Sequence, residues 1–170
     1  MDGADLLADA FSRIRSTVHA AVEGLTAEQL VTRLDPEANT IAWLVWHLTR
    51  VQDDHVSDVA GVEQVYTAQG WAQRFGFPFS EGAIGYGHSS DDVAAVRVSD
   101  PALLLDYYDS VEDQTLTYVR GLSGADLDRV VDDAWDPPVT LATRLVSVVN
   151  DDMQHAGQAA FIRGVLSRRA

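Results

Sequence analysis

Apolar residues recur at spacings of three and four along four long stretches of the chain, which is the periodicity of amphipathic helices. The first stretch, for example, repeats at Leu7, Phe11, Ile14 and Val18. No stretch shows a strong alternation of period two, so strands are not expected. The four predicted helices cover approximately residues 5–22, 40–61, 100–121 and 140–168. The pattern therefore predicts an all-α chain.

The second and third predicted helices are separated by a long connection, residues 62–99. It is rich in glycine and aromatic residues and includes "GWAQRFGFPFSEGAIGYGHSS". A connection of this length inside a compact domain is usually functional or disordered, and its aromatic side chains favour a packed loop.

A faint internal repeat relates the two halves of the chain. "LTAEQLVTRLDPEANTIAWL", from Leu25, resembles "LSGADLDRVVDDAWDPPVTLATRL", from Leu122. Each segment has a Thr or Ser at a helix start, an acidic turn with proline, and then a long helix. Two related helical hairpins joined by residues 62–99 make a four-helix bundle with one long crossover between its second and third helices.

Composition narrows the class of protein. The chain has 170 residues, which suits a single domain spanning 1–170, and it contains no cysteine. Twelve basic residues against 26 acidic ones give a net charge of −14, which argues against nucleic acid or an anionic membrane as a partner. The start of the chain is acidic, and the longest apolar run, "IAWLVW", is too short to cross a bilayer. A cytoplasmic protein is the expectation.

Polar residues interrupt the inner faces of two of the predicted helices. In "NDDMQHAGQ", Asp151 and His155 lie four residues apart, about 6 Å along a helix, so both can reach one ion. Asp152 is the competing carboxylate. On the second helix, His47 borders the buried stripe. Two imidazoles and one carboxylate would suit Zn²⁺, Fe²⁺ or Ni²⁺ and leave a coordination position open.

The same residues also have a purely structural interpretation. A single histidine on an apolar face is more often a hydrogen-bonded core residue than a metal ligand, and an Asp four residues before a His occurs by chance in many helices. His19 and His55 are expected to be structural or exposed. Spacing alone leaves both interpretations open for His47, Asp151 and His155. A ferritin-like di-iron site is excluded, because neither long helix has a Glu-x-x-His motif.

The chain resembles the DinB-like superfamily of metal-binding four-helix bundles. It is most similar to the branch that contains mycothiol-dependent maleylpyruvate isomerase and uncharacterised actinobacterial proteins. "TIAWLVWHLTRVQDDH" resembles the second helix of that family, "DDMQHAGQAAFIRG" its fourth-helix motif, and residues 74–97 its crossover. The resemblance covers nearly the whole chain. Asp151 departs from the common His-x-x-x-His pattern, although the mycothiol-dependent branch can have an acidic residue there.

The resemblance implies a function for these residues. His47, Asp151 and His155 are expected to bind a divalent metal, with Zn²⁺ first and Ni²⁺ or Fe²⁺ as alternatives. Tyr86 and His88 are expected in the pocket wall. The metal would activate a low-molecular-weight thiol such as mycothiol for transfer to, or isomerisation of, an electrophile. The alternative is a metal-binding or dimerisation module of stress response without catalytic activity, and a homodimer is left open.

Overall fold

The structure is a computed structural model that describes residues 2–169, in which four long helices form an antiparallel bundle. Within residues 2–169, none of the helices combines the length and apolarity that a membrane span requires. In chain order the elements are α1 (Gly3–Val22), α2 (Ala27–Leu30), α3 (Ile41–Ala60), α4 (Val65–Ala68), α5 (Trp71–Phe75), α6 (Ser90–Ala95), α7 (Ala102–Arg120), α8 (Gly124–Leu127), β1 (Val130–Asp132), β2 (Val139–Thr140) and α9 (Leu141–Arg169). The predicted all-α bundle is confirmed.

The four long helices pack side by side, so that each of them has two neighbours and one diagonally opposite helix. Helix α3 packs against α7 and α9, and α1 also packs against α7 and α9. Helices α1 and α3 therefore stand diagonally opposite each other, as do α7 and α9. Helix α3 is the most deeply enclosed element, since every residue from Ile41 to Asp53 is buried.

The ends of the long helices agree closely with the predicted ones because local signals fix them. The hydroxyl of Thr40 accepts a hydrogen bond from the N–H of Trp43 at 3.1 Å, which caps α3. The same helix ends at Gly61, whose φ of +68° is the left-handed conformation that glycine tolerates. At the start of α7, the carboxylate of Asp100 accepts from the N–H of Ala102 at 2.9 Å.

The internal repeat is visible in two matching one-turn helices. In α2, Thr26 and Gln29 exchange side-chain to backbone hydrogen bonds, and in α8, Ser123 and Asp126 do the same. Both are capping boxes. The halves then differ, because α8 is followed by the antiparallel pair β1 and β2. The sequence prediction missed this pair, which is too short to show a period of two.

A buried arginine ties the crossover, residues 62–99, to α3. Arg50 is fully buried and donates to the backbone carbonyls of Glu81, at 3.0 Å, and Ala83, at 3.1 Å. It also donates to the amide oxygen of Gln64 at 2.8 Å and lies 3.5 Å from the carboxylate of Asp53. The crossover is thus a packed loop, as its aromatic content predicts. The segment just before Ile84 is held in place by the buried guanidinium group of Arg50.

The carboxylate of Asp53 completes this network on the other side. It accepts from the backbone N–H groups of Val65 and Tyr66, both at 2.8 Å, and from the hydroxyl of Tyr107 at 2.9 Å. Burial raises the pKa of Asp53, and these donors and Arg50 oppose that rise. We refer to Arg50, Asp53 and the groups that they contact as the Arg50–Asp53 network.

Candidate metal centre

The packing of α3 against α9 brings three of the predicted site residues together. His47, Asp151 and His155 each offer a ligand atom, and these atoms lie within 4.8 Å of one another. Within residues 2–169 no other three histidine or acidic side chains come this close together. The ring centroids of the two histidines are 4.9 Å apart. We call these three residues the metal centre.

The orientation of His47 leaves one ring nitrogen available. The ring is 2% exposed, and its Nδ1 is hydrogen-bonded to the backbone carbonyl of Ile84. Because a carbonyl oxygen can only accept, Nδ1 holds the proton and Nε2 keeps a free lone pair. Burial lowers the pKa of His47, and the Ile84 carbonyl opposes this. The ring therefore favours the neutral form, which is the form that binds metals.

His155, like His47, is oriented by a hydrogen bond from its Nδ1, but its partner is a side chain and not a backbone carbonyl. Its Nδ1 donates to the amide oxygen of Gln158 at 3.0 Å, and its Nε2 lies 3.7 Å from Oδ1 of Asp151. Ligating histidines generally donate their second ring nitrogen to such an outer partner, which fixes tautomer and ring orientation. Both imidazoles thus use Nδ1 for a hydrogen bond to a group outside the metal centre, which leaves Nε2 as the atom that can bind a metal.

The third member of the group has an unpaired atom. Oδ2 of Asp151 is buried and has no hydrogen-bond partner. A buried carboxylate oxygen without a partner costs about 1–3 kcal/mol or more, and a cation at this position would supply the missing partner. The residues present therefore fit a divalent metal bound by two nitrogens and one oxygen.

The crossover forms the wall above His47, and a glycine permits this close approach. At Gly85, φ is +103°, and a Cβ atom would lie 2.5 Å from Nδ1 of His47. Trp43 stacks on the same imidazole, with ring centroids 4.6 Å apart, and the added Cβ would also lie 3.3 Å from Cζ2 of Trp43. Any residue other than glycine at position 85 would displace either the loop or the imidazole.

Sequence comparison decides the family. A sequence model of the mycothiol-S-transferase family matches residues 6–167. The chain belongs to the mycothiol-S-transferase family. The predicted resemblance to DinB-like proteins is thereby confirmed. No protein of curated function matches the chain in sequence.

A solved structure shares the fold. The crystal structure of a conserved protein from Enterococcus faecalis aligns with a TM-score of 0.90 and 27% sequence identity, and the alignment covers 96% of each chain. The mycothiol-S-transferase family assignment and the bundle architecture therefore agree over nearly the full length.

The two predicted pocket residues of this family member have different surroundings. The ring of Tyr86 meets that of His47 edge-on at 5.3 Å, and Tyr86 is 62% exposed. Burial, followed by the charge of Asp151, raises the pKa of Tyr86, so its hydroxyl remains a donor. His88 instead accepts at Nδ1 from Trp43 at 3.1 Å and stacks on Trp46, which makes it an anchor of the loop.

The remaining polar candidates lie outside the metal centre. Asp152 is fully buried but is not among the residues whose ligand atoms lie within 4.8 Å of one another, so the structure groups Asp151 with the histidines. His55 lies beside Asp54 and Arg144. His19 is bonded to Glu23 and to Asp109, away from the metal centre.

Sequence reasoning missed the groups that orient the ligands. The Ile84 carbonyl is a backbone atom and has no sequence signature. Gly85 lies in the glycine-rich "GAIGYGH", but the sequence does not indicate which of these glycines packs against His47. Arg50 had a signal, since it is a charged residue about one helical turn after the apolar run "IAWLVW".

Proposed function

We propose that this member of the mycothiol-S-transferase family is a metal-dependent thiol transferase in which His47, Asp151 and His155 bind a divalent cation. The observation that supports this most directly is the pair of imidazoles with both Nδ1 atoms hydrogen-bonded outward, beside a buried carboxylate oxygen that has no partner. Three protein ligands leave room for an exogenous one. Zn²⁺ is the expected ion, with Ni²⁺ and Fe²⁺ as alternatives.

The metal would supply acidity to a bound thiol, because coordination lowers the pKa of a sulfhydryl group and favours the nucleophilic thiolate. The chain itself has no cysteine, so the sulfur must come from a co-substrate, and the family assignment supports mycothiol. The ring of Tyr86 meets that of His47 edge-on, and burial raises the pKa of its hydroxyl, so we assign Tyr86 the role of donating a hydrogen bond to the electrophile.

A local positive charge is needed for an anionic thiolate to approach this protein. The chain has a net charge of −14, which repels anions at long range. One carboxylate and two neutral imidazoles around a divalent cation leave a net charge of +1 at the metal centre. The neutral ligand set is therefore suited to holding an anion that the rest of the surface disfavours.

A surface groove next to His155 offers space for part of a substrate. It has a volume of about 580 Å³ and is lined by Gln158, the partner of His155, and by apolar side chains that include Leu44, Met153 and Phe161. We place the apolar part of the electrophile in this groove. Phe161→Ser is then expected to raise KM more than it lowers kcat.

Metal analysis combined with a thiol-dependence assay tests the proposal. Protein purified without a metal-affinity tag should contain one equivalent of divalent metal, and it should consume electrophiles only when mycothiol or a related thiol is present. His47→Ala and His155→Ala should each lose the metal and the activity, whereas His19→Ala, a histidine outside the metal centre, should keep both. Metal-free wild type, or equal metal content in all variants, would contradict the proposal.

A second candidate function is the dimerisation module without catalysis. The observation that favours it is the exposure of Met153 and Phe161 on the outer side of α9, because exposed apolar groups that cluster often mark an interaction surface. Sedimentation of the wild type and of the Met153→Ser/Phe161→Ser double variant distinguishes the two. A wild-type dimer that the double variant dissociates, together with no thiol-dependent turnover, would favour the module.

A further inference from the structure

One indole ring contacts both imidazoles of the metal centre. Trp43 lies one turn before His47 on α3, and the two rings are stacked, with centroids 4.6 Å apart and planes inclined by 18°. The same indole meets the ring of His155, on α9, edge-on at 6.3 Å, with the planes at 86°. Among the ring contacts within residues 2–169, Trp43 is the one further aromatic side chain that contacts both of these histidines.

The planes of the two imidazoles decide whether one ion can bind both. The lone pair of Nε2 lies in the plane of its ring, so an ion bound by two imidazoles lies where the two ring planes intersect. The planes of His47 and His155 are inclined by 68°. The hydrogen bond of each Nδ1 fixes one point of each ring, and rotation about χ2 of a histidine is otherwise broad. A second contact on each ring is therefore needed to fix its plane.

Trp43 supplies this second contact for both rings. The face of the indole restrains the plane of His47, and the near-perpendicular contact restrains the plane of His155. Trp43 is 6% exposed, so its ring is enclosed by protein and has little freedom to turn. The angle between the two imidazoles therefore depends on the position of a single rigid side chain.

A hydrogen bond to the crossover holds this indole in place. Nε1 of Trp43 donates to Nδ1 of His88 at 3.1 Å. Because an indole N–H can only donate, this nitrogen of His88 accepts and carries no proton. His88 itself packs on Trp46, with centroids 5.7 Å apart and planes inclined by 18°, and on Phe79, with centroids 4.5 Å apart. The hydrogen bond thus connects the indole to a well-packed part of the crossover.

We propose that Trp43 is a positioning residue of the metal centre, that His88 holds it in place, and that it sets the angle between the two imidazoles. The inference rests on the proposed function, because only a centre that binds a metal requires this angle. Trp43 acts through the histidines and is not itself a ligand. The crossover then reaches the metal centre by two routes. The Ile84 carbonyl holds His47 alone, whereas the pair of His88 and Trp43 acts on both imidazoles.

Cobalt binding to two tryptophan variants tests the proposal, because the visible d–d absorption of Co²⁺ depends on the arrangement of its ligands. Trp43→Phe removes the indole N–H and shortens the ring. It should weaken Co²⁺ binding by about tenfold to a hundredfold, as loss of an outer partner of a ligand does, and alter the d–d band. Trp46→Phe is the matched control, since Trp46 is 1% exposed and its ring packs on His88, Phe77 and Phe79. Its stability in urea should fall, but its Co²⁺ affinity and spectrum should match those of the wild type.

Two substitutions at His88 separate the hydrogen bond from packing. Asparagine and leucine branch alike at Cγ, but only asparagine has an acceptor near the position of Nδ1. His88→Leu should weaken Co²⁺ binding as Trp43→Phe does, whereas His88→Asn should restore the affinity and the d–d band of the wild type. Equal Co²⁺ affinities for His88→Asn and His88→Leu would overturn the role of this hydrogen bond. Equal affinities and spectra for Trp43→Phe and Trp46→Phe would overturn the proposal as a whole.

Nuclear magnetic resonance of the metal-free proteins separates this inference from the proposed function. Exchange with water of the Nδ1–H protons of His47 and His155 reports how firmly each ring is held, without any ion. Exchange should become faster for both rings in Trp43→Phe but not in Trp46→Phe, and circular dichroism confirms the fold of each variant. A wild type that binds no Co²⁺ would contradict the proposed function, and the exchange rates would still decide whether Trp43 orients the rings. Unchanged exchange in Trp43→Phe would overturn the inference, even if the wild type binds metal and turns over thiols.

Discussion

The Arg50–Asp53 network and the metal centre both include a residue of α3, Arg50 and His47, which are three residues apart. The two regions differ in how completely their buried polar atoms are hydrogen-bonded. No buried side-chain atom of Arg50 or Asp53 lacks a partner, whereas Oδ2 of Asp151 has none. Both regions contact the same short segment of the crossover, at Ala83 and at Ile84. A polar cluster that is complete without a ligand stabilises the fold, and one that is incomplete is available for binding.

Asparagine at position 53 should have the largest effect on stability. Asp53→Asn leaves the charge of Arg50 buried without a counter-ion and turns an amide toward the N–H groups of Val65 and Tyr66. Breaking one side of a buried pair costs about 3–5 kcal/mol. Urea unfolding followed by circular dichroism measures this loss, and a change below 1 kcal/mol would show that the network is not structural.

The matched substitution at Asp151 should behave in the opposite way. Asp151→Asn removes a partly buried charge whose Oδ2 is unpaired, so the metal-free protein should unfold at the same or a higher urea concentration. Its Zn²⁺ affinity should fall by about a hundredfold or more, because even outer partners of ligands contribute tenfold to a hundredfold. Competition with a chromophoric chelator gives the affinity. Destabilisation as large as that of Asp53→Asn would remove the contrast between the two regions.

Gly85→Ala should affect both properties because it acts where the two regions meet. The strained φ costs about 1–3 kcal/mol, and the new Cβ would push against Nδ1 of His47. We expect lower stability together with weaker Zn²⁺ binding. Gly82→Ala is the control, since a Cβ at Gly82 meets no atom within 4 Å. Equal Zn²⁺ affinities for the two variants would mean that the loop does not position His47.

Gln158→Ala should weaken metal binding without changing stability. The side chain of Gln158 is exposed, and its amide oxygen accepts the hydrogen bond from Nδ1 of His155. Removing such an outer partner lowers metal affinity by about tenfold to a hundredfold. Gln154, one turn earlier and also exposed, bonds to the backbone of Asn150 and serves as the control. If Gln154→Ala lowers Zn²⁺ affinity equally, the orientation of His155 does not depend on Gln158.

The smallest effect is expected at the surface pair of His19 and Asp109. Burial lowers the pKa of His19, but hydrogen bonds to Asp109 and Glu23 outweigh it, so the net shift is upward. The protonated form therefore stabilises the fold below the unfolded pKa of about 6.5, and this stabilisation disappears as pH rises through the folded pKa. His19→Gln should cost about 1 kcal/mol or less near pH 5, after screening by solvent, and nothing near pH 9. If the destabilisation by His19→Gln instead increased with pH, the upward shift of the pKa of His19 would be contradicted.

Much of the fold could be predicted from sequence because it depends on local signals. The periodicity of apolar residues placed the long helices to within a few residues, because local groups such as the hydroxyl of Thr40 and the carboxylate of Asp100 bond to the first N–H groups of these helices. The pair of β1 and β2 was missed because five strand residues cannot display a period. The short helices α4 to α6 were also hidden, since tertiary packing of aromatic side chains determines them.

The site was predictable to the extent that it depends on residue type. His47 and His155 stood out as polar residues on apolar helices, and the family resemblance joined them. The sequence could not separate Asp151 from Asp152, because consecutive residues of a helix differ by about 100° in direction and the rotation of α9 depends on its packing against α1 and α3. The groups that orient the imidazoles were beyond reach, since one of them is a backbone carbonyl.

The use of a main-chain oxygen to hold His47 has a consequence for protein engineering. The identity of the side chain at Ile84 does not enter the hydrogen bond, so position 84 can be diversified to reshape the pocket wall without altering the imidazole. The restriction falls on the neighbouring Gly85, where added atoms meet His47. A library built on this scaffold should therefore vary residue 84 freely and leave residue 85 unchanged.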